Sequence, residues 1–310
     1  MLEPHSAYVE ANGIRLHYLE WEPKHSDAGI VTEQQDRDAV PLVLLHSVTA
    51  TADCWRLMAP LLCENHRIIA FDLRGHGLSE QPENGYDLVT IMEDVVAGMA
   101  MLGLGQVALV GHSWGARIAL KLAALHPALV SHVVLVDGAY MEPRHWPGMV
   151  RERYIHQRAS RAFTLQSPNA ILEALQVDMS PFWSPEVQEI VMRSVRELED
   201  GSLEEVLHPE YQRKIRESLW DERMVLYYSK ISSPVLMILA TILPQTWQQI
   251  LEEVECMDEF VAAKGEMALQ VARALRTCSI VWMHDTAHDV QLHRPPQLAE
   301  LISDFMREQP

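Results

Sequence analysis

The sequence predicts an α/β fold with a mainly parallel sheet, on three observations. Short, nearly continuous apolar runs recur along the chain, segments with helical period stand between several of them, and a Gly-x-Ser-x-Gly stretch joins one run to one such segment. Runs of this kind suit strands buried on both faces, and their alternation with helices builds a parallel sheet.

The chain opens with alternating segments, Ala7–Glu10 and Ile14–Tyr18, on either side of Asn12-Gly13, a strong hairpin signal. Residues 23–38 are polar and acidic without a period, which predicts an exposed loop. Buried strands are expected at Pro41–His46, Arg67–Phe71, Val107–Val110, Val133–Val136, Val235–Leu239 and Ser279–Met283. Helices are expected over 89–102, 115–125 and 266–276, the second stopping before Pro127. Residues 140–230 break the alternation: they read as helices punctuated by proline, with no buried strand. Ten of the 21 aromatic residues fall between Tyr140 and Tyr228, so this insertion is expected to cover something apolar. The organisation that follows is a core of residues 1–139 and 231–310 with a helical lid at 140–230.

Composition removes several classes of function. The 310 residues carry 43 acidic against 25 basic side chains, a net charge of −18 that repels nucleic acid and anionic membrane. No apolar run approaches the roughly 20 residues of a membrane helix, and MLEPHSAYVEANG lacks the charged and apolar regions of a secretory signal. Cys54, Cys63, Cys256 and Cys278 form no Cys-x-x-Cys pair and read as free, small apolar residues of a reducing compartment, so a cytoplasmic protein is expected.

The chemistry centres on Gly111-His112-Ser113-Trp114-Gly115, which follows a strand and runs into a helix. Such a context makes a nucleophile elbow, in which the serine sits on a strained turn and its flanks must be glycine to avoid a clash. A serine hydroxyl needs a base. His288 follows the last strand and is the candidate, with His284 and His293 as rivals. His284 and His288 stand four apart, but Asp-Thr-Ala between them reads as loop and no third ligand has suitable spacing. No metal and no cofactor are therefore expected.

From Pro41 to Ile302 the chain resembles the α/β-hydrolase superfamily, through LLHSVTATADCW (44–55), FDLRGHGLSE (71–80), VGHSWGARIAL (110–120), VVLVDGAY (133–140), SPVLMILA (233–240) and TAHDVQLHRPPQLAELI (286–302). The resemblance implies an eight-stranded sheet flanked by helices, with the lid inserted after the sixth strand. It makes Ser113 the nucleophile and His288 the base, and places the oxyanion hole at the backbone N–H groups of Val48 and Trp114. Ser47 stands where the family usually has the second residue of a His-Gly pair. His76, in the Arg74–Gly77 turn, matches a structural turn of the family. The catalytic acid departs from the common pattern, because Ala240–Trp247 after the seventh strand holds no carboxylate. Some branches, including certain haloalkane dehalogenases and a fungal macrolide lactonase, place the acid at the end of the sixth strand. Asp137 matches that variant, 24 residues after the serine, with Glu252, Glu253 and Asp258 as rivals.

The dehalogenases and epoxide hydrolases of the superfamily use aspartate at the elbow, so serine at 113 points to acyl transfer to water. The expected activity is that of an esterase or lactonase on a small to medium apolar ester, with Ser47, Trp183 and Trp220 as candidate substrate contacts. A C–C bond hydrolase, an acyltransferase with the same triad, or a ligand-binding receptor without turnover are the alternatives. The expected partner is the small-molecule substrate alone, and a homodimer is left open.

Overall fold

The computed structural model describes residues 2–23, 40–156, 168–197, 203–241 and 257–307. The loop expected at 23–38 lies, from residue 24 onward, outside the described residues, as do Cys256, Glu252 and Glu253.

Ten strands are present among the described residues. Eight of them, β1 (His5–Ala11), β2 (Ile14–Trp21), β3 (Leu42–Leu45), β4 (Ile68–Phe71), β5 (Val107–His112), β6 (Val130–Val136), β9 (Val235–Ala240) and β10 (Cys278–Met283), form one sheet in the order β1-β2-β4-β3-β5-β6-β9-β10. The β1–β2 and β2–β4 pairs are antiparallel, and the pairs from β4 across to β10 are parallel. Asn12 and Gly13 turn the first hairpin with both φ angles positive (50° and 77°), the geometry that makes Asn-Gly the preferred pair there.

The central strands are mainly apolar because both faces are covered, and alternate residues serve different cores. Val43, Leu45, Val107 and Leu109 belong to one cluster, and Leu42, Leu44, Ala108 and Val110 to the other. The first face carries α2 (Leu88–Met101), capped by Asp87, whose carboxylate accepts from the Val89 and Thr90 amides, and α3 (Trp114–Leu125). The second carries the single turn α1 (Ala59–Leu62) and α10 (Pro295–Arg307), which buries Leu298, Ala299, Ile302 and Phe305.

Between β6 and β9 the chain forms α4 (Arg151–His156), α5 (Pro168–Asp178), α6 (Pro185–Met192) and α7 (Pro209–Asp221), and also two short strands, β7 (Val195–Glu197) and β8 (Leu203–Glu205). These two pair with each other, antiparallel and apart from the main sheet. The sequence predicts no buried strand in 140–230, and these two are short and partly exposed, with Arg196 exposed and Leu203 and Glu205 half-buried; three residues are too few to display an alternation in the sequence. After β9 come α8 (Met257–Ala274), nine residues ahead of its expected start, and α9 (Val290–His293). No helix among the described residues is long and apolar enough to cross a membrane.

Candidate active site

The elbow follows from one strained residue and two close approaches. Ser113 has φ 54° and ψ −108°, a strained backbone for a residue with a side chain. A Cβ on Gly111 would collide with the Gly115 carbonyl, and one on Gly115 with the backbone of Leu45 and His46. Both positions are therefore closed to any larger residue. Gly115→Ala is expected to lower stability by about 3 kcal/mol, read from the urea unfolding midpoint, because backbone rather than a flexible side chain must give way.

The turn sets Ser113 at the edge of a cavity of about 470 Å³, whose walls also include Asp137, His288, Val48 and Trp114. Trp114 is the first residue of α3, so no intrahelical carbonyl can take its amide hydrogen, which is free to meet an anion at the helix N-terminus. His76 ties together Val48 and Trp114, the two residues expected to form an oxyanion hole. One ring nitrogen faces the Val48 carbonyl at 2.8 Å, the other faces the Arg74 carbonyl at 2.9 Å, and the ring lies 5.5 Å from that of Trp114.

Asp137, at the end of β6, also has a positive φ (44°). The next residue, Gly138, packs so closely on the Ser113 backbone that a Cβ there would overlap it. This brings the end of β6 against the elbow. His288 Nδ1 donates to Asp137 Oδ2 at 2.7 Å. Asp137 Oδ1 accepts from Tyr140 Oη (2.8 Å), the Ala240 amide (3.1 Å) and Lys264 Nζ (2.7 Å). Burial by itself would raise the Asp137 pKa, but the Lys264 charge and the His288 hydrogen bond overcome it and hold it well below the ordinary carboxylate value. For His288, enclosure works downward, and the hydrogen bond and charge of Asp137 outweigh it and hold the imidazole above its ordinary value. About half of the His288 side chain remains exposed. Ser113 and His288 share no direct hydrogen bond; such contacts are often loose before a substrate is present.

His288 sits on an anchored loop. His112 Nε2 donates to the His288 carbonyl at 2.9 Å, and Gln291 Nε2 donates to His112 Nδ1 at 3.3 Å. Burial, then the neighbouring His288, push the His112 pKa down to about 4, so it serves as a neutral strut.

The structure separates the rivals. His284 is exposed, and His293 accepts from the Ala287 amide while stacking on Phe182 at 4.9 Å. Asp258 is exposed in the first turn of α8. The proposed substrate contacts Ser47, Trp183 and Trp220 do not line the cavity, which corrects that expectation. Trp183 packs beside Ile171 and Leu175, and Trp220 lies between Tyr154 (ring centroids 5.9 Å apart) and the Arg144 guanidinium. Beside Trp114, the aromatic walls are instead Tyr140, Trp146, Tyr154, Phe182 and Phe260. Among the polar residues of the site that escaped the sequence reading are Tyr140, Arg117 and Lys264. Only the last left a signal, a lone lysine in line with Phe260, Ala268 and Val271 on the apolar stripe of α8.

Comparison with known proteins gives a consistent family. A family model described as alpha/beta hydrolase fold matches residues 40–235. The chain is 35% identical over 133 residues to a soluble epoxide hydrolase from Corynebacterium sp. (strain C12), covering 43% of this chain and 41% of that protein. It is 36% identical over 113 residues to 2-(acetamidomethylene)succinate hydrolase from Mesorhizobium japonicum, covering 36% and 41%. The chain thus spans about two fifths of the length of these curated relatives. The solved structure of E-2-(acetamidomethylene)succinate hydrolase superposes with a TM-score of 0.75 at 21% identity, covering 98% of this chain and 100% of that one. The enol-lactonase from Burkholderia xenovorans LB400 gives 0.68 at 22%, covering 97% and 100%. At these identities the structural likeness speaks for the fold.

Proposed function

The chain belongs to the α/β-hydrolase fold family, and on that premise we propose that it is a serine hydrolase cleaving a carboxylic ester or lactone of a small to medium apolar substrate. The observation that carries this reading is the strained Ser113 at the rim of a largely apolar cavity shared with a His288–Asp137 pair at 2.7 Å.

In the reaction Ser113 Oγ attacks the carbonyl carbon while His288 Nε2 takes its proton. Charge on the carbonyl oxygen develops against the Val48 and Trp114 amides, each such donor being worth about 3 kcal/mol in comparable sites. Asp137 fixes the tautomer by accepting from Nδ1 and stabilises the imidazolium. His288 then gives its proton to the departing alkoxide, and a water activated by the same imidazole releases the acid. The aspartate nucleophile of epoxide hydrolases has no counterpart at 113, so likeness to an epoxide hydrolase supports the fold and not an epoxide substrate.

A fluorophosphonate tests the reading directly. One equivalent is expected to attach, with the adduct mapped by mass spectrometry to the peptide containing Ser113 and p-nitrophenyl butyrate hydrolysis lost in proportion. Labelling elsewhere, or full activity in the labelled protein, would remove Ser113 from the chemistry.

A second reading, C–C bond hydrolysis of a carboxylate-bearing ketone by the same triad, is favoured by one observation. Arg117 lines the cavity, buried, with Nη2 donating to the Met141 carbonyl (2.8 Å) and Nη1 unpartnered. A relative 40% identical over 118 residues, from Pseudomonas sp. (strain CF600), is a 2-hydroxymuconate semialdehyde hydrolase.

A further inference from the structure

The Asp137 carboxylate is paired with a cation as well as with an imidazole. Lys264 and Asp137 are both about 5% exposed at the side chain, with Nζ 2.7 Å from Oδ1. The ammonium also donates to the Ala240 carbonyl at 2.6 Å and lies 5.7 Å from the Tyr140 ring centroid. It therefore occupies the end of β9, the place where the resemblance would have put an acid and the sequence has none. We propose that Lys264 is a positioning residue of the triad, fixing the Asp137 carboxylate on His288 and setting the pH at which His288 becomes a competent base. This rests on the reading of Ser113, His288 and Asp137 as an acyl-transfer triad.

Two physical effects carry the proposal. The first is geometric. Lys264, Tyr140 and the Ala240 amide all donate to Oδ1, leaving Oδ2 to His288 alone. A carboxylate held by three donors on one oxygen cannot rotate about its Cβ–Cγ bond without breaking them, so Oδ2 stays aimed at Nδ1. The second is electrostatic. A bare buried carboxylate beside an imidazole would stabilise the imidazolium strongly and keep the base protonated over much of the neutral range. The ammonium on the far oxygen cancels part of that field and favours the free base, since Lys264 acts against the raising effect of Asp137 on His288. The other ionisable groups facing this network are Asp289, whose charge adds to that of Asp137 on His288, and His112, whose ring lies 4.7 Å from that of His288. Tyr140 stays protonated as a donor, since burial and then the Asp137 charge raise its pKa far above the ordinary value. Lys264 is the cation of the set.

The test uses the full chain and two variants, Lys264→Gln and Lys264→Arg, with two readouts. One is the NMR titration of the His288 ring, assigned among the fifteen histidines by its loss in His288→Gln. The other is the acid limb of kcat/KM on p-nitrophenyl butyrate. Removing the positive charge is expected to raise both midpoints by about one pH unit in Lys264→Gln, so that kcat/KM below the limb falls about tenfold. Lys264→Arg keeps the charge and is expected to stay near the parent. A His288 midpoint in Lys264→Gln that is unchanged or lower overturns the proposal. Collapse of both variants to unfolded chains overturns it too, by assigning Lys264 to folding alone. Failure of the underlying reading looks different: the parent would not hydrolyse the ester, yet the His288 midpoint would still move.

Discussion

Ser113→Ala is expected to lower kcat on p-nitrophenyl butyrate by about 10⁶-fold, with no burst of nitrophenol in the first turnover. The argument is that the other parts of the site act through this one oxygen. Without it, His288 has no hydroxyl proton to take and no acyl-enzyme forms; the Val48 and Trp114 amides then offer only the small residual rate that an oxyanion hole gives to direct attack by water. Ser113→Gly is expected to be equally inactive and yet more stable than Ser113→Ala by about 1 kcal/mol in urea unfolding, because glycine tolerates φ 54°. Activity within tenfold of the parent in either variant would end the serine-hydrolase reading.

Asp137→Asn is expected to cost about 10⁴-fold in kcat. The amide keeps the shape of the carboxylate, and its oxygen can still accept from Tyr140, the Ala240 amide and Lys264. Its nitrogen then faces His288 Nδ1, which must become an acceptor, and the proton moves to Nε2, which can then no longer take the proton of the Ser113 hydroxyl. The same substitution leaves the Lys264 ammonium buried without its counter-charge, so a stability loss of about 3–5 kcal/mol should accompany the rate loss. Rate and urea midpoint measured on the same sample separate the two, since a folded but slow enzyme identifies the acid. Asp258→Asn, on an exposed side chain, serves as the contrast and is expected to stay within twofold of the parent. Full activity in Asp137→Asn would return the role to a carboxylate after the seventh strand.

The parts of the fold readable from sequence are those where each residue has one environment. β3, β5 and β9 are buried on both faces, so composition alone marks them. The elbow is legible because its flanking residues admit only glycine. The segment between β6 and β9 is legible as mainly helical and not in detail. Phe182 and Trp183 are neighbours and equally apolar, yet one lines the cavity and the other packs beside Leu175. Nothing local fixes which way such a pair turns, since α5 and α6 lack the register that sheet pairing gives a strand. Lys264 was hidden for a different reason. A lysine in a helix is the commonest of solvated residues, and its partner, Asp137, lies more than a hundred positions away.

The location of Asp137 also bears on how the proposed triad would be assembled during synthesis. Ser113 and Asp137 end adjacent parallel strands, β5 and β6, joined through a single helix, so one early and compact piece of chain can set them side by side. His288 follows more than 150 positions later, after everything between β6 and β10 has been made. Since domains emerge from the ribosome amino end first, a growing chain would hold the proposed nucleophile and acid before the proposed base has been made.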